Sequence, residues 1–587
     1  MPTLNLSDLN VVTAVLGAFT LLYGIISVKI KQTWYLGEAL PAMVLGIILG
    51  PVAARFIDAS RWGLAEEAQV SEITLGVTRI VICLQLVIAA YQLPQKYFWI
   101  RKKEMLICLI PLMTLMWLLT TACCLATIPK ITFLAGLAIA AACTCTDPVL
   151  SQAVAKGPFS DKYVSRPLRE IISAEACLND GFGFPFLMLA VYLLRHAEPI
   201  PEPLDAVGGA HRLMIRSGSE HEVGRLGGGT SEAMKQWFLE TWLYYVILSA
   251  VYGVAVGTVA RLAIKFSLKK RWIDSESYVL FPTAIGLFIV GTAGAVGTND
   301  LLACAFSGGA LNWDGEFMDE LERRHDEVNS CIDVLLNFGG FMYLGAIIPW
   351  REFHDPDGTG ITIWRLFLLG IMVFAFRRIP AVFICYKTMP NVIQNWREAL
   401  FMGYFGPIGI GAVFYVEHTR HVVPKPGESD SEFDNMIRAL PGTIYFLVVF
   451  SIVGHGLSIP LLDAIYKRMG VQPIQDDAIA IRRKSIHVPN PANASVGDED
   501  TFIAYNRFRR PSMSGASRMS FSTSQNLPFS SSFDMTQDPE AQAQAHTRRH
   551  SRRVSHSRAA VRPPNYPEED TEAEKKRLQR RTIRYGV

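Results

Sequence analysis

Residues 133–155, FLAGLAIAAACTCTDPVLSQAVA, and residues 168–194, LREIISAEACLNDGFGFPFLMLAVYLL, decide how the rest of the chain is read. Both are apolar enough to span a bilayer, yet the first carries Thr146, Asp147 and Pro148 near its middle and the second carries Glu175, Asn179 and Asp180. A carboxylate at membrane depth costs about 2.5 to 3.5 kcal/mol on insertion scales, so such groups line polar pathways. Pro148 has no N–H to donate and pushes Asp147 out of helical dihedrals, while Thr144 and Thr146 compete for nearby carbonyls. The pattern predicts a broken helix. Broken backbone at the midplane persists only where protein or water satisfies the freed groups, and transporters build ion and substrate sites from such breaks. Glu175 and Asn179 are four apart and share a helix face, with Asp180 one residue further round. That helix faces the break with Asp180 and leaves Glu175 for another partner.

The composition agrees with a membrane protein. Half of the residues are hydrophobic even though a long polar tail lowers the average, so the apolar part is a polytopic membrane domain. The formal net charge of +3 gives no reason to expect a nucleic-acid partner, and the distribution of basic residues carries the information instead. The ten cysteines fall in or beside apolar segments and read as small buried hydrophobes, with no disulfide framework or metal site. No cofactor is expected, and no metal beyond a transported cation. The opening MPTLNLSDLN has no basic n-region, which predicts a retained first helix and not a signal peptide.

Apolar stretches occur at about 9–29, 38–57, 71–93, 105–127, 131–155, 169–195, 238–264, 277–296, 298–312, 329–349, 361–387, 397–417 and 438–465, which predicts an all-α fold of about thirteen transmembrane helices. Loops after odd-numbered helices carry Lys29 and Lys31; Lys96, Arg101, Lys102 and Lys103; Lys156, Lys162 and Arg166; and Lys265, Lys269, Lys270 and Arg271. The positive-inside rule places these loops and the tail in the cytoplasm and the N-terminus outside. Residues 196–236 read as a polar, Gly-rich flexible loop on the outer side, and residues 313–328 as a short amphipathic surface helix. Residues 1–467 form the expected transmembrane domain and 468–587 a disordered cytoplasmic regulatory tail. Ser485, Ser512, Ser551 and Ser555 each follow paired basic residues there, as in sites of basophilic kinases, where phosphate would loosen a basic tail from anionic lipid.

A second interrupted segment, residues 401–418, reads FMGYFGPIGIGAVFYVEH, with Gly403, Gly406, Pro407, Gly409 and Gly411 in an otherwise spanning run. Paired breaks in corresponding positions predict inverted repeats with a midplane site, where the positive ends of half-helices are compensated by a carboxylate such as Asp147. Arg377 and Arg378 lie inside LFLLGIMVFAFRRIPAVFICY; a buried arginine needs a partner, and Glu175 is the spare carboxylate. One of the two is expected to pair and the other to snorkel to the interface near Lys387. Asn299 and Asp300 open a short Gly-rich segment as caps or part of an ion path, with Asp300 the expected cap. Arg79, Gln85 and Glu38 read as structural or peripheral polar groups.

Taken together, CTCTDPVLSQAVAKG, EACLNDGFGFPF, GTNDLLACAFSGGALNWD, FRRIP and GYFGPIGIGAVFY, over about residues 10–465, resemble the monovalent cation/proton antiporters, and within them the fungal plasma-membrane sodium/proton antiporters. The resemblance implies a dimerisation subdomain and a core subdomain with two crossed, broken helices. It further implies that Asp180 binds a cation or a proton in competition, that Asn179, Asp147 and Thr146 shape the site, and that Glu175 pairs with Arg377 or Arg378. Pro148, Gly406, Pro407 and Gly409 would form the broken-helix turns. The implied partners are Na⁺, Li⁺, K⁺, H⁺, the lipid bilayer, a second copy of the chain, and kinases at the tail. Two departures bear on stoichiometry: Asn179 stands where some relatives have a second aspartate, and Ile408 stands where many have arginine. Two other classes fit these residues less well. An intramembrane aspartyl protease fits two aspartates in outline, but TDP and NDG lack that family's YD and GxGD settings. A transporter-like sensor signalling through its tail without ion flux is opposed by the intact carboxylates.

Overall fold

The computed structural model of the chain describes residues 8–34, 36–58, 61–62, 67–155, 158–197, 223–324 and 328–471. The tail serines and the first seven residues lie outside them. The described residues are helical, with only one isolated bridge between Asp355 and Ile361. The principal elements are α1 (Asp8–Val28), α2 (Ala39–Leu49), α3 (Glu67–Tyr91), α4 (Lys102–Thr127), the half-helices α5 (Phe133–Ala141) and α6 (Pro148–Ala155), α7 (Arg166–His196), α8 (Gly229–Lys270), α9 (Ser275–Val296), α10 (Asp300–Leu311), α11 (Glu316–Arg323), α12 (Val328–Ala346), α13 (Ile363–Thr388), the half-helices α14 (Trp396–Tyr404) and α15 (Ile410–Val422), and α16 (Ser431–Met469). Among the described residues, eight helices are long and apolar enough to cross a membrane: α1, α3, α4, α7, α8, α9, α13 and α16. The remaining apolar stretches form the shorter α2, α10 and α12 and the two pairs of half-helices. The chain is an integral membrane protein.

Local sequence explains where helices start and stop. Asp274 and Asp430 cap α9 and α16 by accepting the Ser277 and Phe433 amides at 2.6 and 3.0 Å. Both helices end on glycine in the left-handed conformation, Gly297 at φ 78° and Gly470 at φ 65°. Large apolar side chains face outward on the long helices, as in Leu262, Leu287 and Trp364, where lipid replaces water. The helices α1–α3, α8–α10 and α12 pack against one another, and α4–α7 with α13–α16 form a second mutually packed group. The groups meet where α10 touches α7 and α15 touches α3.

Two sequence expectations change here. Of the expected flexible loop 196–236, residues 229–236 are already the first turns of α8, and Arg225 is buried and ion-paired to Asp430 and Glu432 at 2.6 and 2.7 Å. The acidic partners lie more than 200 positions away, so local polarity misreads this stretch. Residues 198–222 lie outside the described residues. Cys331 is exposed while the other nine cysteines are buried. The amphipathic segment after α10 forms α11, with Phe317, Met318 and Leu321 turned inward.

α2 and α12 cross closely because both present glycine. A Cβ on Gly345 would strike the Met43 carbonyl, and one on Gly46 the Met342 carbonyl, so each backbone fills the other's missing side chain. Gly46→Val is expected to cost about 1 to 3 kcal/mol by overpacking, read as a fall in Tm of the detergent-purified protein. An unchanged Tm would show that the two helices part without penalty.

Candidate functional site

The two breaks satisfy each other. Between α5 and α6 the chain is non-helical at residues 142–147, and between α14 and α15 at residues 405–409. The Asp147 amide donates to the Pro407 carbonyl at 2.9 Å. The Asp147 carboxylate accepts the Leu150 amide on Oδ1 at 2.9 Å and the Ile410 amide on Oδ2 at 3.0 Å, so it caps the N-termini of both α6 and α15. Arg377 does the converse, donating to Gly406 O at 2.7 Å and Cys145 O at 2.8 Å, the carbonyls freed where α14 and α5 end. The Ile408 amide goes to Ser451 Oγ at 2.8 Å, and His455 Nε2 lies 3.0 Å from Tyr404 O. Gly409 is required by this crossing, since a Cβ there would overlap the Asp147 carboxylate.

Arg377 therefore does not snorkel, contrary to the sequence expectation; it is buried because two orphaned carbonyls supply the acceptors that water would supply at an interface. Arg378 pairs with Glu175, its two terminal nitrogens 2.7 and 2.6 Å from the two carboxylate oxygens, and its Nε reaches Met402 O at 2.9 Å. The fork ties α7 to α13 and to α14.

Asn179 uses both ends of its amide on the first break, Nδ2 donating to Thr146 Oγ1 at 2.6 Å and Oδ1 accepting the Thr146 amide at 3.2 Å. Asp180 is the contrast. It is fully buried, and neither carboxylate oxygen has a hydrogen-bond partner among the described residues. Its own carbonyl accepts the Tyr415 hydroxyl at 2.5 Å, and a Cβ on Gly411 would stand 2.9 Å from its Oδ1. The structure thus gathers Thr146, Asp147, Asn179 and Asp180 at one crossing with Gly406, Pro407 and Gly409. The arrangement provides a buried pair of carboxylate oxygens with hard-donor chemistry, beside carbonyl and hydroxyl oxygens and two half-helix N-termini.

The cap of α10 is Asn299, which accepts the Leu302 amide at 3.1 Å and donates to Gly181 O at 2.6 Å, next to Asp180. Asp300, the expected cap, instead pairs with Arg79 at 2.7 Å, because it sits one residue inside the helix and turns toward α3. Gln85 donates to Asn337 at 2.6 Å, and Asn337 to Glu38 at 2.8 Å, linking α3, α12 and the start of α2. Sequence reasoning passed over Glu417, a buried carboxylate on α15 that accepts the Ser71 hydroxyl of α3 at 2.5 Å and the Tyr445 hydroxyl at 3.2 Å. Its signal was legible as an acid inside FYVEH. Among the described residues no group of three or more His, Cys, Asp or Glu is placed to hold a resident metal ion.

With this geometry in hand, the comparisons with known proteins are informative. The family described as "Sodium/hydrogen exchanger, transmembrane" matches residues 15–463. A Na⁺/H⁺ antiporter of Saccharomyces cerevisiae is 34% identical over 471 residues, covering 78% of this chain and 44% of that protein. A probable Na⁺/H⁺ antiporter of Schizosaccharomyces pombe is 35% identical, covering 78% and 56%. The chain thus spans about half the length of these two relatives. Another Schizosaccharomyces pombe Na⁺/H⁺ antiporter is 30% identical, with 78% of this chain and 91% of that protein covered. In fold, the chain is similar to the solved structure of the sodium proton antiporter MjNhaP1 from Methanocaldococcus jannaschii, with TM-score 0.50 at 15% identity, over 77% of this chain and all of that one.

The Glu175–Arg378 pair gives a direct test of what holds α7 to α13. Arg378→Met strands a buried carboxylate and is expected to lose about 3 to 5 kcal/mol of stability, while Glu175→Leu combined with Arg378→Met recovers most of it. Thermal melts of both purified variants, compared with the parent, check this.

Proposed function

The chain belongs to the sodium/hydrogen exchanger family, and we propose that it is a secondary antiporter, not an enzyme, that exchanges cytosolic Na⁺ for external H⁺ at Asp180. The observation that carries the proposal is the state of Asp180: buried at the crossing of two broken helices, with neither oxygen hydrogen-bonded among the described residues. Leaving two acceptors unsatisfied there is costly unless a proton or a cation takes them up in turn. One carboxylate holds either a proton or a partly dehydrated Na⁺, and Li⁺ and K⁺ compete for the same oxygens. If only occupied states cross the membrane, the two fluxes are coupled.

Asn179, Thr146 and Asp147 act as the frame. Their polar atoms are spent on the breaks, so they set the position of Asp180 without binding the proton themselves. Asn299 lines the approach from Gly181, and Asp300 is held by Arg79. Movement of the α4–α7 and α13–α16 group against the other group would expose Asp180 to alternate sides. The positive-inside distribution supports an N-terminus outside and a tail in the cytoplasm; the proposed location is the plasma membrane and the proposed assembly a homodimer. A sensor without flux gives no reason to keep an unpartnered carboxylate at such depth.

Three measurements on proteoliposomes test this reading. Asp180→Asn is expected to abolish cation-induced proton flux while expression and Tm stay near the parent's; retained flux removes Asp180 from the central role. Gly411→Ala crowds Asp180 Oδ1 and is expected to weaken apparent Na⁺ affinity by about tenfold, roughly the effect of a poorly relieved overpacked methyl. Competition at one carboxylate further requires the apparent KM for Na⁺ to rise as pH falls, with maximal flux restored by excess Na⁺.

A further inference from the structure

A second cavity, remote from Asp180, lies between the end of α3, α8 and α10. Its volume is about 480 Å³, and its chemistry is graded from one end to the other. Ala90, Val254 and Phe306 line it from within the three helices, Arg261 lines it about two turns further along α8 than Val254, and Lys96 and Tyr97 line it from the segment that follows α3. Tyr97 is only 6% exposed, yet its hydroxyl has no hydrogen-bond partner among the described residues. Among the described residues Arg261 Nε is also without a hydrogen-bond acceptor, while its Nη1 is ion-paired with Asp314 at 3.6 Å. Asp314 is itself taken at 2.5 Å by Lys265, which also pairs with Glu316 at 2.9 Å. Of the residues that line the cavity, Lys96 and Arg261 carry charge, and both are positive.

Two buried donors without acceptors at one end of an apolar cavity call for a ligand that brings oxygen acceptors and negative charge at one end and hydrocarbon at the other. The surroundings place that ligand in the bilayer. Trp99, Val251 and Leu262 are exposed beside the cavity, and Lys102 lies 4.4 Å over the Trp99 ring, a pairing suited to the membrane–water boundary. The cavity is smaller than a whole phospholipid, so it suits the phosphate, the glycerol and the first carbons, with the acyl chains running on over Val254 and Val251.

We propose that the cavity between α3, α8 and α10 binds an anionic phospholipid, its phosphate held by Arg261, Tyr97 and Lys96 and its chains lying toward Val254 and Phe306. The occupant is independent of the exchange reaction, since none of these residues belongs to the Asp180 site. Full-length protein in neutral detergent, mixed with equal phosphatidylserine and phosphatidylcholine and examined by native mass spectrometry, tests it. The parent is expected to retain phosphatidylserine about fivefold over phosphatidylcholine, the preference expected of one basic side chain at the headgroup. Arg261→Gln should remove the preference, and Val254→Trp should exclude both lipids. Tyr97→Phe, which deletes one oxygen and leaves packing intact, should reduce retained phosphatidylserine about threefold and decides the matter if either other variant fails to fold. An unchanged preference in Arg261→Gln or Tyr97→Phe overturns the proposal. So does displacement of the lipid by millimolar inorganic phosphate, which would make this a site for the free anion.

Discussion

The structure depends on one constraint: two helices are broken in a region where water is not available to repair them. The repair is made with opposite charges. Asp147 sits on the two N-termini and Arg377 on the two C-terminal carbonyls, so a carboxylate and a guanidinium each complement two helix ends of opposite sign. Neither charge would be tolerable alone at that depth. The bond from the Asp147 amide to Pro407 O then fixes the breaks at one distance, which leaves room only for glycine at residue 409.

This division of labour makes the two central aspartates unequal. A carboxylate dyad that shares a proton needs two groups in comparable surroundings. Asp147 has committed both oxygens to backbone amides, whereas Asp180 has committed neither among the described residues. The asymmetry removes the aspartyl protease reading on geometric grounds. It also explains how an asparagine can stand beside Asp180: residue 179 must donate as well as accept to hold Thr146, and an amide does both.

What the sequence disclosed followed from chemistry that is local. Asp147-Pro148 and GPIG announce breaks because proline lacks a donor and glycine tolerates a close crossing, and Glu175 asks for a cation because a buried acid has few alternatives. What it did not disclose depended on which distant group happens to be opposite. Nothing in FRRIP says that Arg377 meets carbonyls and Arg378 meets Glu175, since neighbouring residues on a helix point to different faces. Asp300 looks like a cap at least as good as Asn299, and only the presence of Arg79 across the interface assigns the roles. Arg225 looked solvated because its stretch is rich in glycine and charge, while its partners lie on the far side of the sequence.

The closure around Arg225 has a consequence for how this protein can change over time. Leu226 donates to Arg195 O at 2.7 Å, His196 contacts Gly227 O, and Arg225 reaches Leu194 O, so the chain leaving α7 is tied to the chain entering α8. The neck sets the geometry of both helices whatever hangs from it. Doubling the length of a segment beyond such a neck adds only about 0.6 kcal/mol of closure cost. An insertion made between Ala197 and Val223 is therefore expected to leave α7 and α8 in place.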